Sequence, residues 1–387
     1  MRYKNQYIRH GDKRGVALIV VLILIVTTAL LSMAFMSRSD VELACGQNMT
    51  LRSQTDYTAE SAMEHAKGMI LYPQDVAGEY WTGVNAQQLA NGTDYYYDVV
   101  VTKLGHCDYK INCLAYKEKA GVQTGRSALQ TELRLDPVIA YYQSLLAPIP
   151  AEIIINGDVY CDTDLANFGR IFGDVYSPST VVNPFPGIIT GKINDFTAQP
   201  PVDLPSISIS DFSSRYYIGA DEYMVANVGA DQLQDMILGP TVSNPAGIYY
   251  RDGNLDLRGN INITGMLVVR DDLRIDMMCN VTITAVKNFP ALLVGHDIIF
   301  NNSNQHLNVT GLVQVRDNID MNNSFGSRID VLGALYILGD GAQDTAGCSI
   351  NITGSPDKAA IEIWSSEGVP TRWSPAAGAF FKSIQRQ

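Results

Sequence analysis

Carboxylates and cysteines are the side chains of this sequence whose types and spacing could do chemistry. The stretch "RDGNLD" puts Asp252, Asn254 and Asp256 on one tight turn, oxygen donors of the kind that hold calcium, but it lacks the full EF-hand pattern. Asp271, Asp272, Asp297 and Asp317 would line up if their segments stacked, as the carboxylates of a solenoid lyase or glycosidase do. Against both readings, Asp and Asn are common at turns because their side chains satisfy backbone groups and tolerate unusual angles. Cys107 and Cys113, in "CDYKINC", are the nearest pair among six cysteines able to form a disulfide. The sequence holds no P-loop, GxSxG, HExxH or CxxC motif, and His296 and His306 are too isolated for a zinc cluster. The expectation is a protein that is not an enzyme, with no cofactor and no metal beyond that calcium candidate.

Those carboxylates sit in a repeat. Apolar pairs recur every six residues at Leu255/Leu257, Ile261/Ile263, Leu267/Val269 and Leu273/Ile275, and the step returns at Leu307/Val309, Val313/Val315 and Ile319/Met321 and again at Ile329/Val331 and Leu335/Ile337. "NITG" at Asn262 and Asn351 and "NVTG" at Asn308 mark longer units, with "VRD" at Val269 and Val315 a fixed distance beyond two of them. Coil starts near Ile261, Val281, Leu307, Ile329 and Ile350 predict a β-solenoid, in which each coil buries alternate side chains and stacks on the next. A β-sandwich with regular hairpins explains the six-residue step less well. Earlier, "INGDV", "IFGDV" and "ITGKI" share an apolar-x-Gly-x-apolar corner and read as the first coils. "QPPVDLPS" and a helix expected near "GADQLQDMI" break the rhythm over 195–247.

Upstream, "TDYYYDVVVTKLGHCDYKINCLAYKEKAGVQTGRSALQTELRLDP" contains three β-rich runs, 94–103, 108–117 and 127–135, divided by glycine turns. They predict a small antiparallel sheet. Before it, Ala59, Ala62, Ala66, Met69 and Ile70 share one helix face, Pro73 ends the run, and Glu64 and His65 read as a solvated face. From Val16 to Ser37 no residue is charged. The helical pattern therefore runs from about Val16 to Leu71, roughly 80 Å, and its first half is long enough to span a bilayer.

The leader carries Arg2, Lys4, Arg9, Lys13 and Arg14 against Asp12, so the N-terminus is expected in the cytoplasm and the bulk of the chain outside. The whole chain has a net charge of −12, and without the leader's +4 it is −16, which argues against nucleic acid as a partner. The basic leader ending in Arg14-Gly15 directly before "VALIVVLILIV" resembles a type IV prepilin, and "RGVALIVVL" is most similar to PilX-like minor pilins and the K-type minor pseudopilin of type II secretion. The resemblance covers about residues 9–136. It implies cleavage by a prepilin peptidase between Gly15 and Val16, methylation of the new N-terminus, and an apolar helix kept as membrane anchor and filament core. Major pilins carry a glutamate where this chain has Val20, and the minor proteins named above also lack it. A plain single-pass anchor is the alternative for the same segment.

The expected fold is α+β: a leader (1–15), a pilin-type helix (16–72), an antiparallel sheet (73–137), a β-solenoid (150–365) and a C-terminal tail (366–387). The implied function is that of a non-enzymatic minor pilin or pseudopilin of the inner membrane, found at a filament tip. Its partners would be the prepilin peptidase, other pilins and the assembly platform, with the solenoid as binding head. The rival is a membrane-anchored solenoid that binds or cleaves polysaccharide.

Overall fold

The structure is a computed structural model that describes the chain except residues 1–13, 72–79, 106–107, 136–138, 198–199, 201–203, 205–206, 277–278, 323, 369, 374, 376–378 and 387. Helix α1 spans Arg14–Leu71 without a break. It is uncharged from Val16 to Ser37, has no buried side chain in its most apolar window, and is long and apolar enough there to cross a membrane. Polar groups in that stretch are spent locally: Thr27 Oγ1 donates to the Ile23 carbonyl (2.8 Å) and Thr28 Oγ1 to that of Leu24 (2.8 Å). Hydroxyls satisfied by their own helix are compatible with a hydrocarbon surrounding.

The second half of α1 docks on an antiparallel sheet of β1 (Gly83–Gln88), β2 (Tyr95–Gly105), β3 (Asp108–Lys119) and β4 (Val122–Leu135). Small residues at three- and four-residue spacing, Thr55, Thr58, Ala59, Ala62 and Ala66, are fully buried there with Met63 and Ile70. They pack on Val99, Val101, Tyr109, Ile111, Leu129 and Leu133. Met63 takes the buried place expected for Met69, which is half-exposed. At Gly125 a Cβ would come within 2.9 Å of the Leu51 side chain, so glycine sets how near the helix lies. The sequence expectation missed β1, and it missed a fifth strand: Ala379–Arg386, in the segment read as a tail, pairs antiparallel with β4.

The rest is a β-solenoid of about nine turns, as the six-residue step predicts. Successive apolar pairs lie on successive faces: Leu255/Leu257 align with Leu273/Ile275 one turn later, while Ile261/Ile263 align with Val281/Ile283, and Leu267/Val269 with Leu292/Val294. All these side chains point inward and are buried. "NITG" and "NVTG" are corners. Gly311, Gly333 and Gly354 stack in register where long strands bend from one face to the next, and a Cβ on Gly333 (φ +145°) would sit 2.2 Å from the Gly311 carbonyl oxygen.

Coil order departs from chain order. The coils around Ile153, Ile171 and Ile189 stack outward to one end. The chain then crosses to the opposite end, where Gln232–Leu238, expected as a helix, is a strand paired with Leu255–Thr264. From there it stacks back until Ser349–Gly354 pairs with Ile153–Asn156. Sequence order gives no sign of this closure, because parallel pairing is a matter of register and not of adjacency.

The crossing segment also has a packing role. One solenoid face carries outward apolar side chains, among them Ile248, Met266, Val268, Leu293, Leu312 and Tyr336. Residues around Ile207, Phe212 and Tyr216, together with Ile361 and Trp373, cover them. This explains the unbroken apolar runs "MLVV" and "LLV", which are buried on both sides, where alternating runs face solvent on one.

Candidate functional site

The strands that alternate form a face whose outward side chains are exposed or half-exposed. Along it run two ladders of outward side chains: Asn262, Thr282, Asn308, Asp330 and Asn351, and beside them Thr264, Thr284, Thr310, Leu332 and Thr353. Inward neighbours such as Ile263, Ile283 and Val309 hold each strand down, so the period of two places every second residue outward. Within the ladders Asn351 Nδ2 donates to Asp330 Oδ1 (2.9 Å), and Arg328 pairs with Asp330 (2.5 Å). The remaining ladder positions are amides, hydroxyls and Leu332, repeated at the strand spacing of about 4.8 Å. Such an array offers donors and acceptors at a fixed interval.

The carboxylates singled out in the sequence do come together at one corner, and their partners define their work. Asn254 Oδ1 accepts the Asp272 N–H (3.0 Å), Asp297 Oδ1 the Asn318 N–H (2.8 Å), and Asn318 Oδ1 the Asp340 N–H (2.8 Å). In the first coils Asp158 accepts from Asp174 N–H and Asp174 from Lys192 N–H, both at 2.7 Å. Each side chain thus bonds the backbone of the next coil, and not of its own turn as expected. The signal lies in the "INGDV", "IFGDV" and "ITGKI" corners, once they are read as stacked. Burial, followed by the nearby charges of Asp272 and Asp317, raises the Asp297 carboxyl above its usual value, against the lowering effect of the Asn318 N–H.

Asp271 and Asp272 of that corner and the calcium candidate are held by cations or backbone, while Asp317 stands as a like charge near Asp297. Asp271 pairs with Arg270 (3.2 Å) and Asp272 with Arg274 (3.1 Å). Asp252 pairs with Arg270, Asn254 belongs to the corner ladder, and Asp256 lies 3.9 Å from Arg258. Among the described residues no group of three or more His, Cys, Asp or Glu converges as a metal site.

Arg14, Gly15 and Val16 form the first turn of α1, and the leader before them lies outside the described residues. Val20 is half-exposed on the apolar half of the helix. Cys113 is buried under α1, its thiol pushed up to about 12 by burial, while Cys107 lies outside the described residues. His65, expected on a solvated face, is half-buried. Its Nδ1 lies 3.0 Å from the Tyr97 hydroxyl, its ring packs edge-on to Tyr97 and tilted against Trp81, and burial lowers its pKa.

No family model and no curated protein matches this chain. Among solved structures, the competence-associated pilin ComZ from Thermus thermophilus is similar over 88% of this chain and 97% of its own, at 9% identity and a TM-score of 0.34. An ice-binding protein (LeIBP) from Arctic yeast is similar over 57% of this chain and 91% of its own, at 13% identity and a TM-score of 0.33. An ice-binding protein from the Antarctic ascomycete Antarctomyces psychrotrophicus is similar over 54% and 96%, at 14% identity and a TM-score of 0.27.

Proposed function

We propose that this chain is a minor pilin or pseudopilin, held in a membrane by the first half of α1 and built into an envelope filament, with the solenoid as a binding head. One observation carries the reading: a single 58-residue helix is uncharged from Val16 to Ser37, bare in its most apolar window, and docked on an antiparallel sheet in its second half. A cleavable signal needs no such continuation. Prepilin peptidase cuts after Gly15, and the partners are other pilins and the assembly platform. The head binds and does not catalyse, since the corner carboxylates Asp271, Asp272 and Asp297 are held by arginines or by the backbone of the next coil.

Val20 supplies no carboxylate to neutralise a methylated amine at bilayer depth, where a lone charge costs about 2.5 kcal/mol or more. The protein is therefore scarce in the filament and sits at its tip. Replacing Gly15 with Phe tests the assignment. It should leave the full-length precursor in the inner membrane, and normal processing of that variant would contradict the reading.

A further inference from the structure

The region 195–247 breaks the repeat, and the binding-head reading gives it no ligand. Its hairpin, Arg215–Ile218 with Asp221–Met224, joins Ile361–Trp364 and Pro370–Trp373 in a four-stranded antiparallel sheet on the covered face of the solenoid. Tyr217 and Trp364 are register partners there, and both are half-exposed. Where this sheet meets the turn at Lys287 and Asn288 lie two adjoining hollows of about 320 and 240 Å3, with Phe289 and Trp364 in the walls of both. Lys287 (φ 53°) and Asn288 (φ 58°) both adopt left-handed backbone, and the Asn288 carbonyl accepts the Glu362 N–H (2.7 Å), which fixes the turn against the Trp364 strand.

The lining chemistry selects a ligand class. Phe212, Tyr216, Tyr217, Phe289 and Trp364 line the larger hollow, together with Ser210, Ser214 and Ser365. The charges on the hairpin side are engaged: Arg215 pairs with Glu222 (3.3 Å), and Asp211 accepts the Ser208 N–H (3.1 Å). The smaller hollow adds Lys287 and Glu362, charges of opposite sign, while the larger, with aromatic side chains, hydroxyls and engaged charges and a volume at the lower end of the ligand-site range of about 300–1,000 Å3, fits a small ring with an apolar face and a hydroxylated edge.

We propose that this cleft binds a ring of a neutral saccharide, with Trp364 as the stacking platform. The proposal rests on the head acting by binding and is independent of cleavage at Gly15, so either can fail without the other.

The test uses the full chain in a detergent without a sugar headgroup, titrated with cellohexaose, maltohexaose, chitohexaose and, as the anionic control, hexagalacturonate, with tryptophan emission as readout. At least one neutral oligosaccharide should give a saturable change, and Trp364→Ala should weaken its binding by about tenfold or more, measured calorimetrically. Trp364→Phe should retain part of the affinity, and Ser214→Ala should lower it. These milder variants decide the matter if Trp364→Ala does not fold. Failure of every neutral oligosaccharide to bind up to about 10 mM, unchanged affinity in the Trp364 variants, or stronger binding of hexagalacturonate would overturn the proposal.

Discussion

Ile350, in the last long strand of the solenoid, is the register partner of Ile153, in the first coil. The Ile350 N–H donates to the Glu152 carbonyl (3.2 Å), and Thr345 Oγ1 donates to the Glu152 carboxylate (3.0 Å). The early coils therefore have no inner neighbour until the C-terminal coils are in place, and the final strand, Ala379–Arg386, completes the antiparallel sheet on β4. Truncation before Thr345 should expose Ile153 and Ile155 and unfold both ends together. Hydrogen exchange that showed the coils around Ile153 and Ile171 still protected in the truncated chain would refute this coupling.

Val315 is fully buried between coils, in register with Val294 and Ile337. Val315→Asp buries an unpaired charge, and we expect a loss of about 4 kcal/mol or more, enough to abolish a cooperative denaturant transition. Val315→Ala, a smaller cavity change, should cost about 1–3 kcal/mol and keep the transition.

Asp297→Asn should behave in the opposite way. The carboxyl of Asp297 is raised in the folded chain, so between its ordinary value near 3.8 and its folded value the folded state holds more protons than the unfolded one. Its contribution to stability is then present at acid pH and declines as pH rises through that window. The amide keeps an oxygen for the Asn318 N–H and lacks the charge that faces Asp272 and Asp317. Thermal melts should show the variant at least as stable as the parent at neutral pH, with a flatter profile just above pH 3.8. A marked loss of stability at pH 7 would count against the account of the corner.

His65 runs the other way. Burial lowers its folded pKa below the ordinary 6.5, so the unfolded state takes up a proton first as pH falls, and stability drops below about pH 6.5. His65→Gln should remove that part of the pH dependence while leaving the melt at pH 8 within about 1–2 kcal/mol. An unchanged acid limb would show that His65 is not its source.

The cysteines divide by exposure. Cys45 is exposed on α1, whereas Cys113, Cys161 and Cys279 are buried, with burial raising all three thiols and pushing Cys279 up to about 12. Alkylation of the native chain should label Cys45 within minutes and the three buried thiols only after denaturation, as read by peptide mass spectrometry. Rapid native labelling of Cys161 would contradict the packing of the first coils.

The helix, the meander and the solenoid were legible because each rests on a local period: small and apolar residues at three- and four-residue spacing from Ala59 to Ile70, alternation from Tyr97 to Val101, and the six-residue step from Leu255. What escaped depends on contacts distant in sequence. Strand Gln232–Leu238 looks helical until its pairing with Leu255–Thr264 is known, and nothing near Ile153 announces Ile350. The carboxylates of the corner were visible as a row. Their partners were not, because a bond from Asp297 to the backbone of Asn318 exists only once the coils have stacked.

The mass of the mature N-terminus tests the filament-subunit proposal most directly. Chain isolated from the envelope and analysed by intact-mass and peptide mass spectrometry should begin at Val16 with a methylated amine, and peptides from residues 1–15 should be absent. A chain that retains its leader, or one cut beyond the apolar helix, would contradict the filament-subunit reading and leave a solenoid held by a plain anchor or released from the membrane.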